Sequence, residues 1–402
     1  MVSQASPALS PLLRTLLDAT FRANPAYDLM VFDRLPEYQQ TILGDIRNDP
    51  DMYGVAFLRD SASRVSKAID RDTALLFFTL QSPGRLPAYV QHLVADQEGE
   101  DIARLVLDGI FEIEHNGSFV SGADAYTLLY GIAPLPDATS LPARLSRAAL
   151  QYAQALQLND VMKLAARLYF YHRQPLTPVW RQRFPSQAAI DHFLGLDSDA
   201  PIAALIEQHW ARASSASGSK GWHIWRSRRT RSRSGNQTYK LYISPDFAQV
   251  PMAWQAALAV LASHAAHTIK IGCDVHGLLR PDKIVAYFGD FADLEAGASR
   301  LQSELGGCAA HGVPFTAAFG EEGLLSWGTD PPRDQQVLQW QASESWRVWI
   351  CHRLAAALVQ AREHPTETIE PWRFAMERLQ FEGVDIQTWT PAATIWRAPE
   401  EM

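Results

Sequence analysis

Between residues 238 and 330 short β-prone runs alternate with helical patterns, and the runs keep delivering a cation or a phenol: Lys240, Tyr242, Lys270, Arg280, Lys283 and Tyr287. The runs are TYKLYISP, HTIKIG, KIVAYF and VPFTAAF, rich in β-branched and aromatic residues. PMAWQAALAVLASHAA and DLEAGASRLQSELGG, which separate them, read as helices. Arg280-Pro281-Asp282-Lys283 is a turn signal between HTIKIG and KIVAYF. Hairpins of this kind favour an antiparallel sheet over a doubly wound parallel one.

The remainder of the chain differs in character. Residues 8–23, 86–111 and 122–172 carry helical spacing. EIEHNGSFVSG predicts a hairpin about Asn116-Gly117. A further turn is expected at Asn48-Asp49-Pro50-Asp51. SSASGSKG marks a flexible connection. The expected architecture is α+β: a mainly helical domain over residues 1–213, suited to peptide or partner recognition. An α+β domain with a mostly antiparallel sheet and a helical tail follows over residues 214–402. WHIW and TYKLYISP read as strands, and RSRRTRSRSGNQ between them as a hairpin tip. Tyr169, Tyr171 and His172 in the first domain are either packing and surface groups or part of a peptide groove.

Composition narrows the function. Of 402 residues, 47% are hydrophobic and 20% charged, with a formal net charge of −8. An acidic chain is not expected to bind nucleic acid non-specifically. Arg226, Arg228, Arg229, Arg231 and Arg233 are a local exception, either a solvated loop tip or a dock for an acidic leader peptide or nucleic acid. Three dispersed cysteines, Cys273, Cys308 and Cys351, form neither a disulfide framework nor a zinc box. A reducing cytoplasm is expected. No signal peptide is expected, and no apolar run approaches the roughly 20 residues of a membrane span. No metal or nucleotide motif is present, so no cofactor is expected.

Lys240 and Tyr242 are two residues apart on a strand and so share a face. That face is either solvated or turned to an anionic substrate. Lys270 lies between Ile269 and Ile271, so an inward apolar face turns Lys270 and Thr268 to the other side. Lysine is a poor base while solvated, with a reference pKa near 10.4. Burial or neighbouring cations lower it. Arg280 offers a planar fork for phosphate and Lys283 a point charge. Gly328 and the prolines of SWGTDPP shape a loop that presents Trp327 or Asp330.

KLYIS, TIKIG, LLRPDK and IVAYF together resemble the bacterial effector phosphothreonine lyases of the OspF and SpvC kind. They are closer still to the Hop-type effector-like proteins of class V lanthipeptide and thioamitide gene clusters. The resemblance covers roughly residues 220–335. It implies elimination of phosphate from phosphoserine or phosphothreonine of a precursor peptide, leaving dehydroalanine or dehydrobutyrine. A separate Ser/Thr peptide kinase is the implied partner. By resemblance Lys270 is the base, Lys240 steadies the developing enolate or phosphate, and Arg280 with Lys283 clamps phosphate. Tyr287 completes the phosphate side. Where the effector lyases place a histidine two residues after the first lysine, this chain has Tyr242. The general acid is then Tyr242, or a neighbour such as His223, or is dispensed with. Loss of catalysis is the other alternative, leaving a phosphopeptide-binding or kinase-scaffolding protein.

Overall fold

The structure is a computed structural model that describes residues 10–47, 49–59, 66–94, 99–197, 201–213, 221–230, 237–331, 344–363 and 366–392. Asn48, Arg231, Arg233 and most of the SSASGSKG connection therefore lie outside the described residues. Among the described residues thirteen strands follow one another: β1 (Phe21–Ala23), β2 (Tyr27–Val31), β3 (Met52–Leu58), β4 (Ser66–Asp70), β5 (Phe111–His115), β6 (Ser118–Val120), β7 (Trp210–Arg212), β8 (Trp222–Ser227), β9 (Tyr239–Ile243), β10 (Thr268–Gly272), β11 (Ile284–Phe288), β12 (Ala317–Phe319) and β13 (Leu325–Thr329). They form a mixed α+β fold with two three-stranded sheets, β1-β5-β6 and β2-β3-β4, and one seven-stranded sheet, β12-β13-β9-β11-β10-β8-β7. Every pairing is antiparallel.

Local chemistry explains much of this. Asn116 and Gly117 have φ of 52° and 78°, the left-handed pair that closes a two-residue hairpin between β5 and β6. The 280–283 turn leads into β11 as the sequence indicates, but a short helix, Val275–Leu278, which was not expected, stands between it and β10. The β5–β6 hairpin was expected, but β1 beside it and the β2-β3-β4 sheet were not. Burial in β2 and β3 does not alternate, as their Beiii and iiBBBii patterns show, and β1 has only three residues.

One expectation fails. β8 and β9 do not form a hairpin, because β10 and β11 insert between them. Strands β8 and β9 are therefore three interstrand gaps apart, about 14 Å. Ile269 and Ile271 of β10 stand opposite Trp225 and His223 of β8, and on its other edge β10 pairs with β11.

Two apolar cores divide the chain. One face of the large sheet, with Leu241, Ile269, Ile284 and Phe288, packs on Trp254, Leu258, Leu294 and Leu301 from the helices Val250–Leu261 and Phe291–Glu304. The other core unites Leu16, Phe77, Leu107, Leu150 and Leu168 with Trp346, Leu354, Leu358 and Phe374. The C-terminal helices Trp346–Glu363 and Pro371–Gln380 thus join the first half of the chain, while Phe184, Ile190 and Leu194 join the sheet. The cores do not divide at residue 214. The segment between Arg183 and His209 is amphipathic and short-helical, so its helical pattern alone could not say which core it covers.

The two cores meet across the second face of the sheet. Gly328 permits this: a Cβ there would collide with the Trp346 indole. Trp346 is fully buried, and its Nε1 donates to Phe315 O at 2.9 Å. Gly328→Ala is expected to lose about 1–3 kcal/mol of stability through overpacking. Urea unfolding of the variant checks this, and an unchanged midpoint would show that the indole is free to move aside.

Candidate active site

Register decides which side chains meet. Directly opposed residues of antiparallel strands share a face, as do residues two apart. Lys270 faces Val285 and Ile224; Tyr287 faces Thr268 and Lys240; Tyr242 faces Val285 and Ser326. Lys240, Tyr242, Lys270, Tyr287 and Trp222 therefore lie on one face. Leu241, Ile269, Ile271, Ile284 and Ala286 occupy the other and form the apolar core. The cation-x-phenol spacing and the flanking isoleucines are two views of one alternation.

Lys270 is half-buried. Its amine stands 4.4 Å from the Trp222 ring centre and 5.3 Å from that of Tyr287. It makes no hydrogen bond or ion pair among the described residues. Burial, then the charge of Lys240, lowers its pKa to about 8. Lys240 is buried and ion-paired with Asp330, its amine 5.4 Å from the Tyr287 ring centre. The Tyr287 ring thus lies between two amines. Burial raises the Tyr287 and Tyr242 phenols well above their ordinary range, so both stay protonated through neutral pH.

A second group of charges flanks the first. Arg280 grips Asp282 with two hydrogen bonds, Nε to Oδ1 and Nη2 to Oδ2, each 2.8 Å. Arg280 Nη2 also donates to the Tyr169 hydroxyl at 2.8 Å, and that hydroxyl donates to Asp282 Oδ2 at 3.2 Å. Arg347 Nη1 stands 2.9 Å from the same carboxylate oxygen, an ion pair without hydrogen-bond alignment. Arg347 also donates to Tyr169 O at 2.8 Å and Pro314 O at 3.1 Å. Burial disfavours the Asp282 charge, yet Arg280 and Arg347 outweigh that and hold the carboxyl well below the usual range. Burial and the Asp282 charge push Tyr169 up to about 12. The Arg280 guanidinium lies 5.1 Å from the Trp222 ring centre, so Trp222 borders both Lys270 and Arg280. With Lys270 protonated, two carboxylates face four cations, and the face carries a positive surplus suited to an anion.

Two expected site residues are elsewhere. His223 opposes Ile271 and so lies on the other face, held by Asp191 Oδ1 at 3.0 Å and Arg212 Nη2 at 2.9 Å. Lys283 is fully buried and donates to Pro245 O and His311 Nδ1, both at 2.7 Å. The amine is thus committed to two internal acceptors. His311 in turn donates from Nε2 to His172 O at 2.7 Å, and His172 Nε2 lies 3.0 Å from His311 O. This reciprocal tie fixes the end of the helix Val161–Tyr169 beside the sheet.

The sequence reading missed Trp222 and Arg347, took Tyr169 for a packing or peptide-groove residue, and saw in Asp282 only part of a turn. Arg347 left one signal: it is charged within WRVWICHRLAAAL, where Trp346, Trp349, Ile350 and Leu354 are all buried. An arginine among buried positions needs a buried partner. Among the described residues no group of three or more His, Cys, Asp or Glu is placed to hold a metal ion. No helix among them is long and apolar enough to cross a membrane.

No protein-family model matches the chain, and no curated protein matches it. Among solved structures it is similar to the effector protein from Pseudomonas syringae pv. syringae strain 61, with 12% identity over 64% of this chain and 99% of that one and a TM-score of 0.42. The effector protein from Pseudomonas syringae pv. tomato strain DC3000 gives 14% identity, 63% and 98% coverage and a TM-score of 0.40. The type III effector and phosphothreonine lyase OspF from Shigella flexneri gives 13% identity, 39% and 97% coverage and a TM-score of 0.27.

Removing one partner of a buried ion cluster strands the others. Asp282→Ala is expected to cost about 3–5 kcal/mol in urea unfolding at neutral pH. The folded Asp282 pKa lies below the unfolded value near 3.9. Its stabilising contribution is therefore present above that pH and is lost as pH falls through the folded value. The gap between wild type and variant should narrow only in that acid range. A loss under 1 kcal/mol would mean that water replaces the carboxylate.

Proposed function

We propose that the chain is a carbon–oxygen lyase that eliminates phosphate from phosphoserine or phosphothreonine of a peptide. The observation that carries the reading is Lys270. It is a half-buried amine with no hydrogen-bonding partner among the described residues, a pKa lowered to about 8, and cations on either side. At pH 7 roughly a tenth of such an amine is neutral, against well under a thousandth for a solvated lysine.

In this reading Lys270 Nζ takes the α-proton of the phosphorylated residue. The electron pair of the C–H bond becomes the Cα–Cβ double bond, and the Cβ–O bond breaks to release phosphate. The Lys240 ammonium opposes the negative charge that builds on the substrate carbonyl oxygen. Arg280, oriented by Asp282 and Tyr169, holds the phosphate. A phenol, Tyr242 or Tyr287, supplies a proton to the departing oxygen. Lys270 then gives its proton up to solvent and the phenolate takes one back, which restores both groups. No electron donor or acceptor is required.

The phosphate must be installed first, so we propose a separate Ser/Thr kinase as the preceding step. The likeness of KLYIS, TIKIG, LLRPDK and IVAYF to Hop-type effector-like proteins supports a precursor peptide of a peptide natural-product pathway as substrate. His223 and Lys283 have no part in the chemistry.

Incubation with a phosphothreonine peptide is expected to give the dehydrobutyrine product, seen by mass spectrometry as loss of one phosphoric acid. Lys270→Ala should lower the rate about a thousand-fold, the scale of a lost general base. The rate should rise with pH as Lys270 loses its proton and level off above about 8. Phosphopeptide binding without mass loss would instead identify a binding module.

A further inference from the structure

The helix Val161–Tyr169 brings Tyr169 to the site with its buried side, Leu164, Ala165 and Leu168. Its other side leaves Lys163 and Arg167 exposed. There a groove of about 470 Å³ runs past Tyr152, Lys163, Arg167, Phe170, Tyr171 and Arg173. No Asp or Glu is among its lining residues, in a chain whose net charge is −8. Arg167 makes no ion pair among the described residues. Lys163 has only an exposed pair, 3.4 Å from the helix-capping Asp160, which stabilises little. Arg173 Nη2 lies 2.8 Å from His276 Nδ1 and donates to His276 O at 3.3 Å, and it has no carboxylate partner among the described residues.

Phe170 joins this groove to the candidate active site. It is 43% exposed, with the Arg280 guanidinium 5.4 Å and the Arg173 guanidinium 6.0 Å from its ring centre. The path from one guanidinium to the other is at most about 11 Å. An extended peptide covers that in about three residues. Accessible aromatic rings interleaved with cations suit a peptide backbone carrying a carboxylate.

We infer that this groove binds an acidic residue, Asp or Glu, about three positions from the phosphorylated residue, and so selects peptides with acidic flanks. The inference rests on the lyase reading for the identity of the reacting residue. Lys163, Arg167 and Arg173 attract the carboxylate, while Phe170, Tyr171 and Tyr152 cover the backbone between. Neither Lys163 nor Arg167 touches the residues assigned to chemistry, so the groove acts on substrate affinity and not on the elimination step.

The test is a Glu scan through about four positions on either side of the phosphothreonine, with Lys scanned as its opposite, on the full chain. Three quantities are read: Kd by fluorescence anisotropy, and kcat and KM by mass spectrometry. Glu at one position about three residues away should lower Kd and KM about five-fold relative to Lys, the scale of exposed charge pairs. The double variant Lys163→Glu, Arg167→Glu should reverse that preference and leave kcat within about two-fold. A flat scan overturns the inference, and so does a preference that survives charge reversal. Elimination with a flat scan removes the groove and keeps the lyase. A reversible Glu preference without elimination keeps the groove and removes the lyase.

Discussion

The Asp282 carboxylate holds together parts of the chain that nothing else would bring to one point. Arg280 comes from a turn, Tyr169 from a helix over a hundred residues earlier, and Arg347 from the C-terminal helix; all three converge on its oxygens. Like charges about 4 Å apart near a protein surface repel by about 4 kcal/mol. A sheet face bearing Lys240, Lys270 and Arg280 under a buried Arg347 would not close without a counter-charge. Asp282 supplies it on one side and Asp330 on the other. Once both are committed, Lys270 is the amine left without a carboxylate partner among the described residues.

That imbalance is what makes the face chemically interesting. Lysines are buried at a cost that falls on the charged form, so desolvation and a neighbouring ammonium act in the same direction on Lys270. Carboxylates nearby act against them, and Asp282 and Asp330 are the two that do so. Because each already serves another cation, their pull on Lys270 is diluted. Lys283 shows the alternative fate of a buried lysine. It too is lowered, to about 7, by burial, but its amine is consumed by Pro245 O and His311 and links structural elements.

Strand alternation made much of this legible. The shared face of Lys240 and Tyr242, the turn leading into β11 and the Asn116-Gly117 hairpin all follow from local rules acting over a few residues. The order of strands did not, because inserting the β10–β11 unit between β8 and β9 depends on how whole faces match. His223 was misread for a related reason. It precedes Ile224, whose side chain faces Lys270, so one residue of register turns the imidazole to the wrong face. Tyr169 and Arg347 were hidden by distance along the chain, since helical periodicity says which side of a helix is buried and not against what. Gly328 was seen as a loop former, whereas its missing side chain admits the Trp346 indole.

The central claim is that the fold makes one particular amine easy to deprotonate. Lysine side chains labelled with carbon-13 at Cε allow that amine to be titrated by NMR in the intact protein, with Lys270→Arg identifying its signal. A midpoint near 8 is the predicted result. A midpoint at the ordinary value near 10.4 would contradict it, for Lys270 would then be a solvated cation and not a base.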